Sequence, residues 1–287
     1  MATPLFVVGK HRSGTTWLSN LLLDHGQVAG VQHRDHHGVH ESAFFSHVHG
    51  RYGDLSVFSN FVEFASVVAQ SDYFRLLEVS FEELMEFYPS TYAEVFRAMM
   101  DRFAERHGAR YWIEKSPMHT SRIREIGNLY PDAQFVGILR SPVDAAFSWL
   151  KRQDIGESAL RRLTGLGRFT LNKCILDAHM REMQNEWPER VCIVRYEDLV
   201  EDRDDVIQVI CTFLDLPVAE MRAQYAPNTS YSKGGSEQRR PGYERRFVKW
   251  LYRCGARTVL EKWGRYFKHA LQKRRTSLPD WFFKLSG

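Results

Sequence analysis

Cysteine is scarce in this chain. The four present, Cys174, Cys192, Cys211 and Cys254, are dispersed and make no paired metal-ligand spacing. Neither a zinc module nor a disulfide framework is legible, and they read as reduced, packed thiols. Long apolar runs are missing too: none approaches the roughly 20 residues a membrane span needs. Neither sign of charge dominates, since 39 Lys and Arg against 35 Asp and Glu leave a net +4. That balance suits a small acidic ligand and is too mild to point to nucleic acid. No internal repeat or low-complexity tract is present, which excludes a repeat array. Only Met1-Ala2-Thr3-Pro4 precedes the first apolar run, leaving no room for a signal peptide. The expected location is cytoplasmic, unless a targeting segment has been cut away.

What is there begins almost at once. Leu5 to Val8 is an apolar run with β-branched residues, Gly9-Lys10-His11-Arg12-Ser13-Gly14 is a loop bounded by glycines, and Thr15-Thr16-Trp17-Leu18 opens an amphipathic run. Strand, loop and helix in that order make an anion cradle. Glycines let successive backbone N–H groups turn inward, and a helix N-terminus adds unsatisfied donors and partial positive charge. Thr15 and Thr16 add hydroxyls, and Lys10 or Arg12 a full charge. The spacing is similar to the nucleotide P-loop, but that motif carries a lysine after its second glycine, where this chain has Thr15. The cation has moved into the loop, to Arg12, which argues against a kinase or NTPase.

With 287 residues, 44% of them hydrophobic, the chain can bury one large core, and a single domain over 1–287 is expected. Strand patterns recur at Tyr111–Ile113, Gln134–Leu139 and Val191–Tyr196. Helical patterns alternate with them at Thr120–Tyr130, after Ser141-Pro142 and at Asp205–Leu214. This predicts an α/β fold, with a central, mostly parallel sheet flanked by helices and ligands beyond the carboxyl ends of the strands. Gly9 to Arg12, Glu114 to Ser116, Arg140 and Arg195 all fall at such ends. Residues 42–108 interrupt the pattern with an aromatic helical insertion carrying Phe44, Phe45, Phe58, Phe61 and Phe64, and a helix is expected over Ser90–His107. The insertion builds either an acceptor pocket or scaffold alone. Residues 226–287 read as a polar, glycine-bearing loop followed by basic helices, whose charges face solvent or else a polyanionic or membrane surface.

One further pattern links these strand ends. Arg140 closes its strand, Ser141 is the expected N-cap with Pro142 at the first helical position, and Ser148 lies about two turns in. Taken with the loop at 9–17, the chain here resembles the sulfotransferases that use 3'-phosphoadenosine 5'-phosphosulfate (PAPS). Ser13-Gly14-Thr15-Thr16-Trp17 is similar to that family's 5'-phosphosulfate loop. Arg140 and Ser148, with seven residues between them, are similar to its 3'-phosphate motif, and Val194-Arg195-Tyr196-Glu197-Asp198-Leu199 matches a stretch found in many members. The resemblance covers roughly residues 4–25 and 110–217.

It implies a P-loop-like fold and a metal-independent transfer of a sulfuryl group from PAPS, leaving PAP, to a hydroxyl of a small or medium-sized acceptor. An amine is the second choice of acceptor. It implies a donor site built from Lys10, His11, Arg12, Ser13, Gly14, Thr15, Thr16, Trp17, Arg140, Ser148 and Arg195. In that site Arg12 takes the 5'-phosphosulfate, Trp17 stacks on adenine, and Arg140 and Ser148 take the 3'-phosphate. Lys233-Gly234 is similar to the family's late nucleotide-covering loop, with an ordinary surface loop as the alternative. Lys115 falls near the reacting sulfate, unless it merely pairs with Glu114. The family takes the acceptor proton on a histidine or a glutamate, and Glu41 is the first choice here, with His40, His37 and His119 as rivals. A non-catalytic PAP-binding module would keep the site and lack the base. The tract His33, His36, His37 and His40 is rich enough to raise zinc, but it reads as loop without cysteine ligands, and no metal site is assigned.

Overall fold

The strand that leads into the loop, β1 (Thr3–Val8), is the centre of the molecule. Leu5, Phe6, Val7 and Val8 are each 1% exposed or less, as an apolar strand covered on both faces requires. The computed structural model describes residues 1–32, 38–153, 158–219, 221, 242–255, 277–278 and 282–283. Four more strands, β2 (Val28–Gly30), β3 (Tyr111–Glu114), β4 (Gln134–Leu139) and β5 (Val191–Arg195), join β1 in the order β2-β3-β1-β4-β5. Every pairing is parallel, so the carboxyl ends of β1, β3, β4 and β5 emerge on one side.

Successive side chains on a strand point to opposite faces, and β1 therefore feeds two cores. Leu5 and Val7 pack with Leu18, Leu21 and Leu22 of α1 (Thr15–Leu23). Phe6 and Val8 belong to an aromatic core with Phe44, Phe45, Phe96, Trp112 and Tyr130. That second core is largely supplied by the insertion: a π-helical turn at Phe44–Val48, then α2 (Phe58–Ala69), α3 (Asp72–Leu76), α4 (Phe81–Met85) and α5 (Tyr92–Arg106). Phe44, Phe45, Phe61 and Phe64 are wholly buried, and Phe58 is an exposed exception. The buried rings are core, held edge to face. The helix expected from Ser90 starts at Tyr92, because Thr91 and Glu94 close a capping box around its first turn.

After β3 a 3-10 segment, Pro117–Arg122, runs into α6 (Ile123–Leu129), where one helix from Thr120 was expected. α7 (Pro142–Leu150) opens as predicted, with the Asp144 N–H donating to Ser141 Oγ. α9 (Tyr196–Glu201) and α10 (Arg203–Phe213) follow β5, and the latter begins slightly ahead of the predicted Asp205, capped by Asp202.

β2, α8 and the short α9 have no counterpart among the sequence expectations. β2 is too short, and ends in too flexible a residue, to show alternation. α8 (Ala159–Glu186) is the longest helix described, yet it buries Thr170, Lys173, Asp177 and His179 beside its apolar residues and so shows no clean stripe. The buried Lys173 and Asp177 are satisfied by neighbours. Lys173 pairs with Asp177 at 2.8 Å, and Asp177 accepts from Tyr252 of α11 (Gly242–Cys254) at 2.7 Å. α11 is the helix described in the basic tail. Residues 226–241, with Lys233 and Gly234, lie outside the described residues. Among the described residues no helix is long and apolar enough to cross a membrane, and Cys174, Cys192 and Cys211 are buried free thiols.

Candidate active site

The loop after β1 is shaped by close approach. Gly9 has φ +156°, and a Cβ there would stand 2.9 Å from the Ile138 carbonyl. Gly14 has φ +102°, and a Cβ would stand 2.5 Å from the Tyr196 ring. No other residue fits either place. Between them Arg12 takes φ +74°, a left-handed conformation that a side-chain-bearing residue keeps only when its surroundings impose it. The Ser13 N–H donates to the Lys10 carbonyl at 3.0 Å. Thr120 fastens the start of the loop, its Oγ1 accepting from Gly9 N at 2.8 Å and donating to Gly9 O at 3.1 Å.

At the end of the loop α1 begins without a side-chain cap or an acidic residue in its first turn, so its N-terminal donors and partial positive charge are left open to an anion. Ser13 Oγ is buried and has no partner among the described residues. An orphaned hydroxyl, open helix donors and glycine-tight backbone are what a bound phosphate or sulfate would satisfy.

The separated motifs meet at this loop. Arg12 Nε donates to Ser148 Oγ at 3.1 Å, and Arg140 Nη1 donates to the Arg12 carbonyl at 3.0 Å. The Arg140 guanidinium lies 4.1 Å from the centre of the Tyr196 ring, and Tyr196 stands edge-on to Trp17 at 5.5 Å. Tyr196 thus belongs to the site. Its sequence signal is the Val194–Leu199 stretch, in which Arg195 is the expected site residue. Arg195 is 63% exposed in its side chain and lies 3.9 Å from Glu197 and 3.8 Å from Asp198. Trp17 is 6% exposed and takes part in the α1 core. Its ring packs against that core, and its Nε1 is buried without a hydrogen-bond partner among the described residues. Lys10 holds its ammonium 5.2 Å from the centre of the Phe169 ring on α8.

Beside the loop is a second group. Lys115, 4% exposed, donates from Nζ to Glu41 Oε1 at 2.8 Å, and Glu41 is 30% exposed. The plainer pairing of Lys115 with Glu114 is not made. Burial alone would raise the Glu41 carboxyl, but Lys115 and His11 outweigh it and hold the group below its ordinary range. Burial, reinforced by Lys10, Lys115 and Arg12 against the pull of Glu41, pushes the His11 imidazole down to about 4. His11 is therefore neutral near pH 7. The rival bases are differently placed. His119 is wholly buried, its Nδ1 2.8 Å from Glu114 Oε2 and its ring against Phe45. His40 is 6% exposed with its ring toward Tyr73, and His37 lies outside the described residues, as do His33 and His36. Among the described residues no three potential metal ligands stand together.

The model of the Sulfotransferase family matches residues 4–220. No curated protein sequence matches the chain significantly. Among solved structures, the sulfotransferase domain of the Synechococcus PCC 7002 olefin synthase is 18% identical, with a TM-score of 0.54 over 97% of this chain and 96% of that one. The sulfotransferase domain from the curacin biosynthetic pathway is 17% identical, with a TM-score of 0.52 over 79% of each chain. A sulfotransferase from Alicyclobacillus acidocaldarius is 18% identical, with a TM-score of 0.50 over 89% of this chain and 93% of that one. At such identities the structures speak for the shared P-loop-like fold, while the family model spans the loop, the Glu41–Lys115 pair and the Arg140–Ser148 motif, and on that match the chain belongs to the Sulfotransferase family.

Proposed function

We infer that this sulfotransferase uses PAPS as donor and a hydroxyl of a small or medium-sized molecule as acceptor. The observation that carries this reading is the meeting of Arg12, Arg140 and Ser148 at one loop, beside the Glu41–Lys115 pair. A nucleotide with phosphate at both its 5' and 3' positions suits two neighbouring anion-holding groups, and ATP has nothing for the second. The loop amides, Ser13 Oγ, Thr15 and Thr16 would hold the 5' end, and Arg140 with Ser148 the 3'-phosphate. PAPS supplies the sulfuryl group and departs as PAP.

The chain's own residues supply position, charge and a proton acceptor. Glu41 is ionised and reachable from solvent, so one carboxylate oxygen takes the proton of the acceptor hydroxyl. Lys115 fixes that carboxylate and sets a buried positive charge beside it. Arg12 places a second cation on the loop side. Neutral His11 adds a hydrogen-bonding ring without adding charge to an already cationic site.

Calorimetry with PAP and ADP tests the donor. PAP should bind more tightly than ADP by about tenfold or more, and the reverse order would sink the assignment of Arg140 and Ser148. Transfer of labelled sulfate from PAPS to a panel of phenols, sugars and lipid alcohols then identifies the acceptor class.

A further inference from the structure

Glu114 ends β3 with its carboxylate wholly buried, and the reaction above makes no use of it. Burying an ionised carboxylate is costly unless hydrogen bonds replace its water. Here they do. Oε1 accepts from Ser42 Oγ at 2.7 Å, from Ser42 N at 3.3 Å and from Ser116 Oγ at 2.5 Å. Oε2 faces His119 Nδ1 at 2.8 Å. Burial would raise this carboxyl, but His119, Ser116 and Ser42 together hold it below its ordinary range.

The identity of these partners is informative. Ser42 follows Glu41 in the chain, and Ser116 follows Lys115. The two serines also hold the turn between them and the insertion. Ser116 Oγ accepts from Ala43 N at 3.2 Å, and Ser42 Oγ accepts from Phe44 N at 3.2 Å. Ala43 has φ +50°, in the left-handed region that alanine seldom occupies without external support. One buried carboxylate therefore joins two chain segments that are distant in sequence, each one residue away from a member of the 2.8 Å Glu41–Lys115 pair.

We propose that Glu114 is a positioning residue whose carboxylate clamps the Glu41 turn to the Lys115 strand end and so sets the separation of base and cation. The proposal rests on the roles given to Glu41 and Lys115 above. It touches neither the loop nor the Arg140–Ser148 group, so its loss should act on turnover and spare nucleotide binding.

The test compares Glu114→Leu, Glu114→Gln and Ser116→Ala with the wild type by crystallography, PAP calorimetry and steady-state kinetics. Leucine removes the acceptor, and the Glu41–Lys115 separation should open beyond about 4 Å while kcat falls ~10- to 100-fold, the scale of a 1 Å misplacement. The Kd for PAP should stay within about threefold, since its groups are untouched. Glutamine keeps an acceptor oxygen for the two serines and offers an N–H to His119, so it should restore both the separation and kcat. Ser116→Ala cuts one arm of the clamp in a milder way and should move the pair in the same direction, which decides the matter if the leucine variant does not fold. A pair that stays at its wild-type separation in the variants, or a PAP affinity that falls in step with kcat, overturns the proposal. If the wild type binds PAP and transfers sulfate to nothing, the functional reading fails, while the measured separations still judge the clamp.

Discussion

At the scale of single residues the site sorts its ionisable groups by surroundings. Glu41 stays ionised because Lys115 is 2.8 Å away, and a positioned base is worth roughly 10²–10⁴ in rate. Glu41→Gln should therefore lower kcat by about that factor and leave PAP affinity unchanged by calorimetry; retained turnover would move the role to a histidine. His11 makes a different prediction. Its imidazole titrates at about 4 in the folded protein against an ordinary 6.5. A depressed value means that the unfolded chain binds the proton first, so this contribution to stability is present above pH 6.5 and is lost as pH falls toward 4. Thermal melts of wild type and His11→Gln at pH 7 and pH 4.5 read this directly. The advantage of the wild type should shrink at the lower pH, and an equal gap at both values would show that His11 is not held neutral.

At the scale of elements, the strand-loop-helix unit depends on backbone that only glycine supplies. Gly14→Ala would place a methyl against Tyr196, which itself supports Arg140. The expected result is a lower Tm with a loss of PAP affinity of about tenfold or more, and calorimetry showing wild-type binding would contradict it. α11 offers a separate case. Glu244 is wholly buried and accepts two bonds from Arg162 of α8, both at 2.8 Å. Arg162→Met would strand that carboxylate without its counter-ion, at a cost of about 3 kcal/mol. Chemical denaturation should show the loss, and an unchanged midpoint would mean that water replaces the arginine.

For the whole molecule, the central parallel sheet gathers the carboxyl ends of β1, β3, β4 and β5 on one side, and a ligand bound there would be linked to folding. A ligand at 100 times its Kd that binds only the native state adds about 2.7 kcal/mol, so PAP should raise Tm by several degrees and ADP by less. Equal shifts would argue against a dedicated 3'-phosphate group. Much of this organisation was legible in the chain itself. The strands and their carboxyl-end residues, the loop at 9–17 and the Ser141 cap are local patterns, set by periodicity, glycine and short-range hydrogen bonding, and they survived folding nearly intact. The family motifs lay in the same segments. Other features have no local signal. α8 hides because its polar residues are buried against partners distant in sequence, and Tyr196 becomes part of the site only because α9 starts beneath Gly14. The edge-on contact of Trp17 with Tyr196 likewise joins residues far apart in the chain. The sequence by itself determined which residue types reach the sheet's carboxyl end. Tertiary structure decided which of them meet, pairing Lys115 with Glu41 rather than Glu114, because Ser42, Ser116 and His119 had already claimed the buried carboxylate.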